Sequence, residues 1–444
     1  MLSILSNRTY RHLFLAQLVA LVGTGLLTIA LGLLAFDLAG ADAGQVLGTA
    51  LAIKMVAYIA IAPIVGAFAN RLPRKTFLVA MDLMRAGVAL FLPFVTEVLQ
   101  IYVLIFVLQS ASAAFTPTFQ ASIPDILPDE EEYTGALSLS RLAYDMESLT
   151  SPLIAAALLT VITFNGLFAG TAIGFAASAA LVVTSGLAIA RSVKPAVGNV
   201  WSRTKRGMVM YLKTPRLVGL LAVTLSAAAA GAMVIVNTVV IVREELALSQ
   251  TTYAITLGVF GLGSMLVALS ISSLLRKISD RTALLAASLL LTALLGLLAA
   301  SSFAAGIHWP VILVGWFLLG AAYSLCLTPA GRLLKRSSHS DNRTAIFAAQ
   351  FALSHACWLL AYPLAGWLGA SFGMPEAFAG LGILSLCGLI IALRIWPASD
   401  SERLAHSHPD LPQDHPHLRE GHRAGDPVHP YVIDDLHTHW PKPT

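Results

Sequence analysis

The chain has 444 residues, of which 57% are hydrophobic and 12% charged, with a formal net charge of +4 and a mean hydropathy of +0.77. Soluble domains carry about 25% charged residues, so half that density over such a length excludes a globular secreted or cytosolic protein and implies an integral membrane protein. A nucleic-acid binder is excluded as well, because it would gather its basic residues on a soluble domain.

A helix needs about 20 apolar residues to cross a bilayer. Twelve stretches reach that length: 12–36, 46–69, 76–96, 100–120, 134–161, 167–190, 217–241, 253–275, 282–304, 309–330, 345–370 and 377–396. The first follows MLSILSNRTYRH, exceeds a signal-peptide core and has no clear cleavage site, so it reads as a span. The longest gap, 191–216, divides the chain into six plus six. The expected organisation is an N-terminal six-helix bundle over 1–190, a basic linker over 191–216, a C-terminal six-helix bundle over 217–397 and a disordered tail over 398–444. The fold class is all-α. Cys326, Cys357 and Cys387 lie inside apolar segments with no metal-type spacing and read as small buried hydrophobes.

An ionisable residue at mid-membrane costs about 2.5–3.5 kcal/mol on insertion scales, which makes each one a functional candidate. Lys54 stands in the second span, Asp82 and Arg85 in the third, and Arg141, Asp145 and Glu147 in the fifth. Asp82 and Arg85, three residues apart, read first as a structural pair. In the fifth span Arg141, Asp145, Ser148 and Pro152 form one stripe at helical spacing, and Ser140, Tyr144, Glu147 and Ser151 form the adjoining one. That half of the helix must face protein or a water-filled cavity. Arg141 and Asp145 can close a fixed bridge, or serve transport. Glu147, about 120° around the helix from Arg141, is left free for a proton or a cation. His355 in the eleventh span reaches a depth similar to Lys54 and Asp145; it is either a packed residue or a ligand. Lys54 argues against a bare metal ion, since an ammonium repels one; it is neutral, or paired with a carboxylate, or a site for an anion.

The tail holds eight of the chain's twelve histidines: His406, His408, His415, His417, His422, His429, His437 and His439. Three pairs are spaced i,i+2, which in an extended chain aims both imidazoles the same way, and Pro409, Pro412, Pro416, Pro427 and Pro430 forbid a continuous helix. Imidazole suits nickel, copper and zinc. The tail therefore delivers, buffers or senses a divalent metal, or is merely solvated.

Lys and Arg fall almost entirely on one side of the spans, with the N-terminus, the linker and the tail; the other side holds Arg243 alone. By the positive-inside rule both termini are cytoplasmic, and the expected location is the inner cell membrane. The halves echo one another: Thr116-Pro117 returns as Thr328-Pro329, SPLIAA at Ser151 as YPLAGW at Tyr362, and RKTFLVA at Arg74 as DRTALLA at Asp280, all at offsets of 206–212 residues. Three matches near one offset suggest a duplicated unit.

GAFANRLPRK, Gly66 to Lys75, resembles the loop motif of the major facilitator superfamily, with Gly66, Arg71, Arg74 and Lys75 in place and Asn70 where that family usually has Asp. The departure removes a member of the family's usual cytoplasmic charge network. FTPTFQASIPDILPDEEEYTGALSL resembles the fourth-to-fifth-helix stretch of its drug, siderophore and metal exporters. The superfamily resemblance covers residues 1–397; HSHPDLPQDHPH and VIDDLHTHWP make the tail similar to those of nickel-resistance permeases. The resemblance implies a proton-coupled secondary transporter, not an enzyme, that exports divalent metal, nickel first, by antiport. The alternatives are an exporter of a drug, siderophore or lipid with a metal-sensing tail, and a metal receptor that transports nothing. The expected partners are the lipid bilayer, protons and divalent metal ions. No cofactor is expected to be tightly bound, and without a Walker loop ATP is not expected to drive the protein.

Overall fold

The computed structural model describes residues 2–68, 73–127, 129–187, 200–275, 277–338, 342–398, 403–405, 428–433, 437 and 439–440; within its helices some side chains, those of Arg141 and Asp145 among them, lie outside the described set. The helices are α1 (Arg8–Ala39), α2 (Ala43–Phe68), α3 (Arg74–Phe91), α4 (Val98–Ile126), α5 (Glu130–Leu158), α6 (Phe164–Thr184), α7 (Val200–Lys213), α8 (Pro215–Val240), α9 (Gln250–Leu274), α10 (Asp280–Ala305), α11 (Trp309–Leu327), α12 (Ala330–Arg336), α13 (Arg343–Phe372) and α14 (Met374–Ile395). Ten helical stretches among the described residues are long and apolar enough to cross a bilayer, and the first of them, Arg8–Ile61, joins α1 to α2. Counting those two apart and adding α5, which is not among the ten, gives the twelve spans expected from sequence.

Local signals set the ends. The Asn7 side chain accepts from the Tyr10 amide at 3.1 Å and opens α1, as the Ser279 hydroxyl does for α10 with Thr282; each satisfies an amide with no partner inside its helix. Gly306 and Gly373, at φ 79° and 106°, end α10 and α13 in a conformation that favours glycine. Two elements depart from the sequence reading. α4 runs on to Ile126, past the expected end at 120. The linker holds α7, a basic helix seated on α13: Gly207 abuts the backbone of Ala345, and the buried Tyr211 hydroxyl hydrogen-bonds Gln350 Oε1. Burial pushes the Tyr211 hydroxyl up, so it stays a donor.

In the first half α1 packs on α5 and α6, α3 on α4 and α6, and α2 on α4; in the second, α8 packs on α13 and α14, α9 on α11, and α10 on α11 and α14. The halves meet through α2 with α13 and α5 with α9. These are the second and eleventh spans and the fifth and eighth, one contact written twice if the halves are related by a two-fold operation that pairs second with eighth and fifth with eleventh. Small residues make the approach possible, as expected where lipid gives no hydrophobic drive between helices. Gly48 lies against the Tyr362 carbonyl, Gly44 and Gly366 face each other's backbone, Gly32 faces the Tyr253 hydroxyl and Gly258 faces Leu153. All these contacts lie at the end opposite the basic loops. The halves are closed there.

The tail contributes the strands β1 (Arg403–Ala405) and β2 (Val428–Pro430), paired antiparallel with Leu404 opposite His429. The sequence reading leaves this tail without order; its described part is held because its few apolar residues find a seat. Tyr431, Val432 and Ile433 are buried, with Met210 of α7 and Trp440 beside them. Arg216, buried at the start of α8, donates to Ser337 Oγ at 2.8 Å and to the Tyr431 carbonyl at 3.0 Å, with its guanidinium over the Trp440 ring.

Candidate functional site

A cavity of about 340 Å3 lies between the halves at mid-depth. Small-molecule sites span roughly 300–1,000 Å3. The first half supplies its polar groups: Gln17, Thr24 and Thr28 from α1, Lys54 and Tyr58 from α2, Arg85 from α3, Gln109, Ser112 and Thr116 from α4, and Tyr144, Glu147 and Ser151 from α5. The second half supplies Val234 and Ile235 from α8, Leu257 and Phe260 from α9, and Tyr362 from α13. One wall is therefore polar and charged, and the facing wall apolar except for the Tyr362 hydroxyl. A smaller chamber of about 30 Å3, room for one water, adjoins it; Gln17, Phe115, Thr116 and Tyr144 are common to both, and Ser140, which donates to Gln17 Oε1 at 3.0 Å, lines the smaller one.

The stripe read from the fifth span, Tyr144, Glu147 and Ser151, faces this space, while Met146 on the other side is exposed where lipid would lie. α1 comes close to α5 at Gly25: a Cβ there would overlap the Ser151 side chain and sit 2.7 Å from Glu147 Oε1. Lys54 is near enough to both Glu147 and His355 to interact electrostatically with each. Neither Lys54 nor Glu147 closes a hydrogen bond or an ion pair within 4 Å among the described residues. An amine and a carboxyl group thus face the same space, coupled electrostatically but with no direct hydrogen bond between them.

Arg85 also reaches the cavity, but it is engaged. It pairs with Asp82 one turn earlier, and its guanidinium lies 4.4 Å from the ring centroids of both Phe115 and Phe175. Ser178 Oγ donates to the other Asp82 oxygen at 2.8 Å. Asp82 is fully buried behind Arg85 and does not line the cavity. His355 stands beside the cavity rather than in its wall: Nδ1 lies 2.6 Å from the Phe351 carbonyl, and the ring stacks on Tyr58 at 5.6 Å. A carbonyl can only accept, so Nδ1 carries the proton and Nε2 is left as the acceptor.

The side chains of Arg141 and Asp145, and residues Asn70 and Arg71, fall outside the described residues, as do His406, His408, His415, His417 and His422. Gly66 is in the last turn of α2; Arg74 and Lys75 open α3. His429 is placed in β2, and His437 is buried with its ring 4.6 Å from that of Tyr431. Among the described residues no group of three or more His, Cys, Asp or Glu is arranged around a common point for a metal ion. Sequence reasoning missed Gln17, Gly25, Tyr58 and Gln109, which carry no charge into an apolar run, and Asp280, whose carboxylate takes a forked pair of bonds from Arg332 with Arg336 3.9 Å away.

The family model described as Major Facilitator Superfamily matches residues 13–235 and again 219–420. Comparison with curated protein sequences returns no match. Among solved structures, a mutant peptide transporter POT is similar at TM-score 0.66 and 13% identity, covering 87% of this chain and 93% of the other. The nucleoside transporter NupG, also a mutant, is similar at 0.65 and 12%, covering 88% of this chain and 100% of the other. A bacterial homolog of the human lysosomal transporter Spinster, solved inward-facing and unoccupied, is similar at 0.66 and 11%, covering 87% and 94%. At such identities the likeness shows the fold.

Proposed function

The chain belongs to the Major Facilitator Superfamily, and on that premise we propose that it is a proton-coupled secondary transporter that exports a divalent metal ion, nickel first, from the cytoplasm by antiport. The observation that carries the reading is Glu147, an unspent carboxylate in a central cavity, on a chain whose end holds eight histidines. A carboxylate that takes either a proton or the cargo's positive centre exchanges one for the other by competition. The halves are closed at the end away from the basic loops, and in this reading the cavity loads from the basic end. The positive-inside rule assigns that end to the cytoplasm of a cell with the protein in its inner membrane. The tail then hangs where an exporter loads, and a tether raises the local concentration of whatever it binds.

Inverted membrane vesicles loaded with radioactive nickel on the outside test the reading. Accumulation should follow an imposed proton gradient and collapse when a protonophore dissipates it. No nickel flux, as the free ion or as a chelate, with or without the gradient, sinks it. Cysteine labelling checks the topology: Ser401→Cys should react only from the cytoplasmic side and Asp42→Cys only from outside.

A second reading has one observation in its favour. The apolar wall of Val234, Ile235, Leu257 and Phe260 offers a metal ion nothing and an organic molecule a surface. In that reading the protein exports a drug, siderophore or lipid and the tail senses metal. Removal of residues 401–444 separates the two: metal export should weaken under the first, and organic efflux should be untouched under the second.

A further inference from the structure

The cavity is oversized for an ion alone. Six waters around a metal occupy roughly 180 Å3 at ~30 Å3 each, and the space is about 340 Å3. Its charges are also wrong for one. A divalent ion at Glu147 would sit beside Lys54, which stays in the same wall and is not neutralised by a hydrogen-bonded partner among the described residues. Arg85 adds no competing pull, because Asp82 and two phenylalanine rings already hold it. Apart from the Tyr362 hydroxyl, the second-half wall gains free energy from apolar surface taken out of water. Three features therefore ask for three parts in one cargo: a negative group for Lys54, a positive centre for Glu147, and an apolar body for Leu257 and Phe260.

We propose that the cavity takes its cargo as an organic carboxylate with an apolar body, carrying the metal as its chelate. The metal half of this proposal rests on the export reading above; the carboxylate half rests on the cavity alone. One carboxylate oxygen ligates the metal and the other accepts from the Lys54 ammonium. The metal faces Glu147. Protonating Glu147 removes the contact to the metal and leaves the one to Lys54, so proton and chelate compete while the carboxylate fixes orientation. A site with a buried donor set of this kind discriminates strongly against an analogue that lacks the matching group.

Inverted vesicles containing the full chain test it, with vesicles lacking the protein subtracted for leak. The probes are radioactive nickel alone, nickel with picolinate (a carboxylate on an aromatic ring that chelates), nickel with picolinamide (the same chelator with a neutral amide), and labelled benzoate (the carboxylate without chelation). The expected result is at least a tenfold higher nickel flux with picolinate than with picolinamide or with nickel alone. Lys54→Gln should remove that increment and Lys54→Arg restore part of it. Should Lys54→Gln fail to fold, the melting temperature of the purified wild-type protein decides: nickel picolinate should raise it and nickel picolinamide should not. Equal flux of nickel alone and nickel picolinate, insensitive to Lys54→Gln, overturns the carboxylate while leaving metal export standing. Flux of benzoate without flux of nickel in any form keeps the carboxylate site and overturns the chelate together with the metal reading. No flux of any probe overturns both.

Discussion

Gly25 and Glu147 show how little of a transport site can be carried by charge alone. Lys54 and Glu147 were legible because a charge in an apolar helix breaks a pattern. Gly25 breaks none, yet its missing Cβ is what lets α1 lie against Ser151 and leaves the Glu147 carboxylate its place. Gly25→Ala should displace that carboxylate while barely changing helix propensity for the worse, since alanine favours helix. The expected outcome is a proton-driven flux reduced about a hundredfold, the order that a 1 Å misplacement produces at a reacting group, in protein that still elutes as a single folded species. Wild-type flux from Gly25→Ala would mean that the close approach does not set the geometry. Glu147→Gln keeps size and polarity but cannot release a proton; it should abolish gradient-driven flux and spare folding. Retained gradient-driven flux in Glu147→Gln would remove this residue from the coupling.

At the scale of elements, the spans were readable to within a few residues because twenty apolar residues have few other uses. The elements that escaped are those whose stability comes from a neighbour. α7 reads as a basic linker because its charges dominate the sequence, although Gly207, Met210 and Tyr211 face α13 and the tail. The segment Val428–Ile433 reads as tail, because two short strands and three apolar side chains carry no period long enough to see. Arg216 joins the tail segment to the end of α12 by donating to Ser337 Oγ and to the carbonyls of Arg336 and Tyr431. Arg216→Ala leaves buried acceptors without a charged donor, a loss of about 1–3 kcal/mol. The expected readout is local. Limited proteolysis should cut near Tyr431 and Trp440 faster than in the wild type, with the helical melting transition shifted little. A cleavage pattern identical to wild type would show that Arg216 does not hold the tail.

At the scale of the molecule, three short matches near one offset pointed to two related halves, and the contacts α2 with α13 and α5 with α9 repeat one another in just that sense. The state in which the halves stand was not legible, because closure at one end depends on backbones meeting through Gly44, Gly48 and Gly366, and a glycine in a spanning helix has many other reasons to be there. That closure is also where the conformational equilibrium can be pushed. A side chain at Gly366 would run into the backbone of Gly44 and Gln45, and packed interfaces of this kind switch between discrete arrangements rather than deforming gradually. Gly366→Leu should therefore disfavour the state closed at this end and populate the one open there. Thr28→Cys, in the cavity wall, reports the change: in the parent it should react with an impermeant maleimide from the basic end, and with Gly366→Leu added it should gain labelling from the opposite end. Transport should fall in the same variant, because a carrier needs both states and an equilibrium moved by about 1.4 kcal/mol already changes their ratio tenfold. Thr28→Cys labelling that stays confined to the basic end in folded Gly366→Leu protein would show that the glycine contacts do not hold that gate.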